Sequence, residues 1–303
     1  MRNLLTFRQL FPGKTRFQPT RAIALFLLTL SLTAVWNRAQ AQTPASAPQE
    51  LKNLLAQIDA AANQRNVKAV MQFYGENLSH SDGLTRPSME QALTQLWQLY
   101  PQMRYQTQLQ SWKSDGNAIV AETVTNITGA QSQSSRNMVL NATINSRQRY
   151  ENGKIVQQEI LSERSQLSSG DNPPTVNIKL PQQVKIGEQF NFDAIVQEPL
   201  GDDYLLGAAI EEPVRPENYL NPTPMDLELL SAGGLFKVGR APAMADDRWV
   251  SAVLIRGDGM TMVTQRLNVV GGTPLRSQES EGRSQKEGVR SQELGVRMQN
   301  NAE

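Results

Sequence analysis

The 303-residue chain has no cysteine and a single histidine, His80. The first absence excludes disulfides, thiolate nucleophiles, zinc–thiolate sites and lipidation of a cysteine. The second leaves carboxylates as the ligands for any metal, and no acidic cluster has the spacing of a calcium loop. No metal and no cofactor is therefore expected. A serine nucleophile is not suggested either, because no G-x-S-x-G elbow occurs. Past residue 36 no apolar run is long enough to span a bilayer. Excess charge of one sign is lacking too. The 30 basic and 29 acidic side chains nearly cancel, and no basic stripe points to nucleic acid.

That near-neutrality is unevenly distributed. Residues 1–41 carry Arg2, Arg8, Lys14, Arg16, Arg21 and Arg38 and no acid. The apolar run "AIALFLLTLSLTAVW", Ala22 to Trp36, is followed by Ala39 and Ala41 in an A-x-A arrangement. A basic start, a short apolar run and small residues at a cut site are the signature of a secretory signal peptide. Cleavage before Gln42 and a secreted or periplasmic destination are expected, with no membrane span remaining. Without those six basic residues the formal charge falls from +1 to −5.

Residues 42–49 contain "QTPASAP", a short linker. Leu51, Leu54, Leu55, Ile58 and Ala62 then recur at helical spacing, and "VKAVMQFY" gives a second short helix with Val67, Val70, Met71 and Tyr74 on one face. A third is expected over Pro87–Tyr100, with proline in its first turn, Thr85 available as a cap, and Met89, Leu93, Leu96, Trp97 and Tyr100 as its stripe. The pattern then changes to period two. Four long strands are expected in "MRYQTQLQSW", "NAIVAETVTNI", "NMVLNATINSRQRY" and "KIVQQEILSERSQL", separated by "KSDGN", "TGAQSQSS" and "ENGK". Three helices followed by an antiparallel meander make an α+β layout, a curved sheet wrapped around helices.

Over residues 50–168 this order, with the stretch "NVKAVMQFY", resembles the NTF2-like (SnoaL-like, cystatin-like cone) superfamily. The resemblance implies a cone enclosing a pocket, and an activity range that includes ketosteroid isomerase, limonene epoxide hydrolase, polyketide cyclases, dehydratases and inert modules. It also implies homodimerisation through the cone as one form of assembly.

"SSGDNPPT" marks a linker, placed at 169–174. Residues 175–271 show only short strands with Gly, Pro and Asp turns, which predicts an all-β sandwich that resembles bacterial immunoglobulin-like modules. "RGD" at Arg256–Asp258 has the letters of an adhesion motif, but the following Gly259 makes "DG" a hairpin turn between "WVSAVLI" and "MTMVTQRLNVV". The tail, residues 272–303, repeats "RSQESEG", "RSQKEGV" and "RSQELGV". These heptads resemble translated tandem repeats of cyanobacterial genomes. They carry too few apolar residues for a coiled-coil seam, so disorder is expected.

Candidate chemistry centres on "SHSDGL". His80 and Asp82 fall where the resemblance implies the catalytic carboxylate of ketosteroid-isomerase-like members, on or just after the strand that follows the second helix. A desolvated Asp82 with a raised pKa would serve as a general base. The alternative is a polar turn, since Ser-Asp-Gly is turn chemistry. On that reading Asp82 is exposed and its substitution nearly neutral. Trp97, Tyr100, Tyr105, Trp112 and Tyr150 are the aromatics available to line a pocket, and Met138, Leu140 and Ile144 would fill the cone if it were closed. Glu122 and Glu159, mid-strand, are expected to face solvent. Two functions stay open. One is a secreted non-catalytic binding or interaction module for a protein or a small apolar ligand. The other is an isomerase, hydrolase or dehydratase built on Asp82.

Overall fold

The computed structural model describes residues 41–271, apart from positions 134, 135, 202, 220, 222 and 258 and the side chains of 131–133 and 136. The expected signal peptide and heptad tail lie outside the described residues. Among the described residues, no helix is long and apolar enough to cross a membrane.

Helix α1, Gln49–Asn63, buries Leu51 and Leu55, the positions its apolar spacing selects. It ends in a left-handed turn. Arg65 has φ +56°, and the N–H groups of Arg65 and Asn66 close onto the carbonyls of Ala62 and Ala61, the paired bonds of a Schellman motif. The Asn66 side chain then caps α2, Val67–Gln72, by accepting from the Ala69 N–H. Helix α3, Arg86–Leu99, opens on the expected Thr85. Thr85 and Ser88 exchange side-chain-to-backbone bonds in a capping box.

Between α2 and α3 runs β1, Tyr74–His80. The meander follows as β2, Arg104–Asp115; β3, Ala118–Gln133; β4, Arg136–Glu151; and β5, Lys154–Ser169. Asn152 and Gly153 both have positive φ in the two-residue β4–β5 turn, as "ENGK" predicts. "TGAQSQSS" was expected to be a loop, but Thr128–Gln133 instead continue β3, paired through Gln133↔Arg136. Ladder hydrogen bonds hold this stretch although no apolar pattern marks it.

Further along come β6, Val176–Lys179; β7, Gln183–Lys185; β8, Gln189–Val196; β9, Leu205–Pro213; β10, Glu228–Leu229; β11, Gly234–Arg240; β12, Arg248–Arg256; and β13, Gly259–Val270. In the β12–β13 hairpin Arg256 pairs with Gly259, so the glycine of "DG" opens β13, and Gly257, at φ +54°, lies in the turn.

One sheet runs in the order β10-β9-β12-β13-β5-β4-β3-β2, and β11-β8-β6 forms a separate three-stranded sheet. Phe190, Phe192 and Leu235 of the small sheet pack with Val250, Leu254, Val263 and Leu267 of the large one. The other core lies under the helices, where Leu51, Leu55, Met71, Trp97 and Ile155 meet. Each fully buried aliphatic side chain contributes about 1.5–3 kcal/mol.

The outer edge of β5 is divided. β1 lies parallel to its first half, ending at His80↔Gln158, and β13 lies antiparallel to its second half, ending at Gln265↔Arg164. The two strands approach the middle of β5 from opposite directions. Residues 81–82 of one and 266–268 of the other meet there. Ser81 donates from its N–H to the Gln158 carbonyl and accepts from the Ile160 N–H, and the Asn268 amide donates to the Leu161 carbonyl.

Candidate functional site

The cone encloses a cavity of about 310 Å³. On the helical side it is walled by Leu55, Ile58 and Ala62 of α1 and by Met89, Leu93, Leu96 and Trp97 of α3. These belong to the stripes read from helical spacing. The sheet supplies cross-strand rows. Ile144, Ser146 and Gln148 of β4 pair with Glu163, Ile160 and Gln158 of β5, and all six face the cavity.

A bulge makes that alignment. The β4–β5 register steps from Asn145↔Ser162 to Ser146↔Ile160, which leaves Leu161 unpaired. One extra residue reverses the alternation of facing. Without it Glu163 would sit on the opposite face from Ile160. With it, a carboxylate reaches the cavity wall.

The expected site residues separate into three groups. His80, Trp97 and Tyr105 stand on the wall. The Trp97 indole N–H donates to the Tyr105 hydroxyl at 2.7 Å, with the rings edge-to-face. Burial pushes the Tyr105 phenol up to about 12. His80 accepts on Nδ1 from the Asp82 N–H at 3.1 Å, so the neutral ring carries its proton on Nε2. Burial, helped by Arg266 and opposed by Asp82, lowers its pKa.

Tyr100, Trp112 and Tyr150 are not on the wall. Tyr100 caps the end of α3 through its N–H to Leu96. Trp112 holds the N-terminal segment to β2, pairing with Gln42 through the backbone and donating its indole N–H to Ser46. Tyr150 is core, and its hydroxyl donates to Gln148 Oε1 at 2.5 Å. Leu140 packs into the core, whereas Ile144 borders open space instead of filling the cone. Glu122 and Glu159 face solvent and share Arg147.

Asp82 forms the third group. It does lie in a turn, closed by Gly83 N–H to the His80 carbonyl. It is not exposed, however; its side chain is only 2% accessible. Arg266 of β13, with a side chain at 0%, grips both carboxylate oxygens, Nη1 to Oδ1 at 3.0 Å and Nη2 to Oδ2 at 2.6 Å. Tyr219 donates to Oδ2 at 2.5 Å and Ser81 to Oδ1 at 2.8 Å. Burial alone would raise the Asp82 pKa. The Arg266 bonds and charge, with the Tyr219 and Ser81 hydroxyls, outweigh it and hold the carboxyl below the usual range. Asp82 is neither an exposed turn residue nor a base with a raised pKa.

Arg266 also reaches Glu163 Oε2 and Asp247 Oδ2, each at 3.3 Å. Glu163 Oε2 accepts from the Trp249 indole at 3.0 Å, and Trp249 stacks edge-on against Tyr219 at 4.7 Å. Tyr219 itself borders the cavity. A residue from the β9–β10 connection therefore completes the wall of the cone. Sequence reasoning missed Arg266, Tyr219, Glu163 and Trp249. Among the described residues, no group of three or more His, Cys, Asp or Glu side chains is placed to hold a metal.

Residues 171–270, which supply Arg266, Tyr219, Trp249 and Asp247, match the family model described as "Domain of unknown function (DUF8623)". No curated protein matches the chain. Among solved structures it is similar to Bd1075 of Bdellovibrio bacteriovorus, at 15% identity and TM-score 0.28 over 37% of this chain and 39% of that one. The chain thus spans about two fifths of that relative's length. It is also similar to an LEH-like epoxide hydrolase of M. tuberculosis, at 12% identity and TM-score 0.28 over 37% of this chain and 80% of that one. A third is a hypothetical protein with a ketosteroid isomerase-like fold from Catenulispora acidiphila, at 11% identity and TM-score 0.27 over 39% and 85%.

Proposed function

We propose that the chain is an exported, non-catalytic binding protein. An NTF2-like cone holds a small, mostly apolar ligand, and an immunoglobulin-like second half closes the site. The observation that carries this reading is the pairing of an open cavity with a carboxylate withdrawn from it. The cavity has the size range and apolar walls of a small-molecule site. Asp82, which the enzymatic alternative needs as a base, has both oxygens committed to Arg266, Tyr219 and Ser81. A depressed pKa makes it a weak base. Of the carboxylates that do border the cavity, Asp59 has both oxygens committed to the Thr107 N–H and hydroxyl at 2.7 Å, and Glu163 holds Trp249 and Arg266 on Oε2. This geometry suits holding a ligand.

The test is titration of the purified chain with N-phenyl-1-naphthylamine, a neutral apolar dye whose emission rises out of water. Saturable binding in the micromolar range is expected, and Leu93→Trp, which puts bulk into the cavity, should weaken it at least tenfold. No saturable binding, or binding indifferent to Leu93→Trp in a folded variant, would remove the cone cavity as the site.

A further inference from the structure

Resting on the cavity reading, we propose that the ligand is an apolar primary amine, bound as its ammonium with the cationic end at Glu163. Two independent features of the wall lead there.

The first is charge. Among the described residues, those that border the cavity include two carboxylates, Asp59 and Glu163, and no lysine or arginine. The guanidinium of Arg266, behind the wall, faces three carboxylates: Asp82, Glu163 and Asp247. Its two-oxygen grip goes to Asp82, and Glu163 receives one longer contact. That group of four keeps an excess of negative charge, and Glu163 is its member on the cavity. Aromatic rings of Tyr74, Trp97, Tyr105 and Tyr219 also border the space, and ring faces favour a cation over an anion.

The second is hydrogen bonding. Several wall donors are already engaged. The Trp97 N–H goes to Tyr105, the Tyr105 hydroxyl to Met103 Sδ, the Thr107 hydroxyl to Asp59, and the Tyr219 hydroxyl to Asp82. An acceptor remains: among the described residues both bonds to Glu163 fall on Oε2, which leaves Oε1 for another donor. An ammonium offers three N–H donors and one positive charge. A carboxylate would meet Glu163 as a like charge, and an alcohol would offer one donor and no charge.

The experiment compares 4-phenylbutylamine, 4-phenylbutanol and 4-phenylbutyrate by isothermal titration calorimetry at pH 7 and low salt. These share one apolar body and differ in the head group. The amine should bind at least tenfold tighter than the alcohol, and the butyrate weaker than either. In Glu163→Gln, which keeps an acceptor for Trp249, the amine's advantage should fall at least fivefold while alcohol affinity changes less than threefold. The ranking on the unaltered chain stands even if the variant folds poorly. An alcohol or butyrate that equals the amine overturns the proposal and leaves the cavity reading intact. If none of the three binds at millimolar concentration, the cavity reading fails and the proposal with it.

Discussion

Replacing Arg266 with methionine tests the junction between β1 and β13. Methionine keeps much of the side-chain length and removes the charge. Glu163 and Asp247 then have recourse to solvent, at 19% and 34% side-chain exposure, but Asp82 at 2% does not. Two unit charges ~4 Å apart at an effective dielectric of ~20 interact by about 4 kcal/mol. Removing one partner of a buried pair costs about 3–5 kcal/mol, since the other charge stays buried. Urea unfolding followed by tryptophan fluorescence should show a loss in that range. Asp82→Asn should cost less, about 1–3 kcal/mol, because Arg266 keeps Glu163 and Asp247. The double variant should lose less than the two single losses added. The pH dependence has a definite sign. The Asp82 pKa is lowered in the folded chain by Arg266, Tyr219 and Ser81 against the opposing effect of burial, and in the unfolded chain it is about 4. Between the two values the unfolded chain binds more protons, so stability rises with pH across that window. The contribution is complete above the unfolded value and is lost as pH falls through the folded one. Wild type should lose stability below about pH 4, more steeply than Asp82→Asn. An Arg266→Met loss under about 1 kcal/mol, or equal acid slopes in wild type and Asp82→Asn, would refute the reasoning.

Two further outcomes follow from the backbone. Arg65 holds the left-handed position after α1 at φ +56°, so Arg65→Gly should raise stability by about 1 kcal/mol, read as a higher urea midpoint with an unchanged slope. At Gly259 an added Cβ would lie 2.2 Å from the Asn172 carbonyl oxygen, so Gly259→Ala should cost about 1–3 kcal/mol or more by forcing the β5–β6 connection off β13; an unchanged midpoint would show that this connection yields freely.

Much of the cone was legible because its signals are local. The stripes of α1 and α3, the Thr85 cap and the "ENGK" turn each depend on residues within a few positions of one another, and those appear in the structure. The site was legible only in part. The turn at residues 80–83 showed in the sequence, but its burial did not, because the group that neutralises Asp82 is 184 residues away. Arg266 sits in "VTQRLNVV", where Val263, Leu267 and Val269 supply the core and Arg266 looks like an ordinary outward strand position. Its outward side is the cone. Glu163 was hidden for another reason. Alternation from Ile160 places it outside, and only the unpaired Leu161 turns it in. No pattern in "EILSERSQL" marks that bulge.

The divided edge of β5 also sets an order on folding. Residues 164–169 of β5 present open N–H and C=O groups until β13 arrives to pair with them, and β13 is the last strand of the described chain. A partly synthesised chain ending between residues 169 and 260 has the three α-helices and the whole meander, yet half of one edge is bare and Asp82 has no counter-charge. Pairings of this sequence separation are slow to form, and bare strand edges are where chains stick to one another. The interval before β13 docks is therefore when this protein is most exposed to aggregation, and substitutions that slow β13 should lower soluble yield before they change the stability of the finished fold.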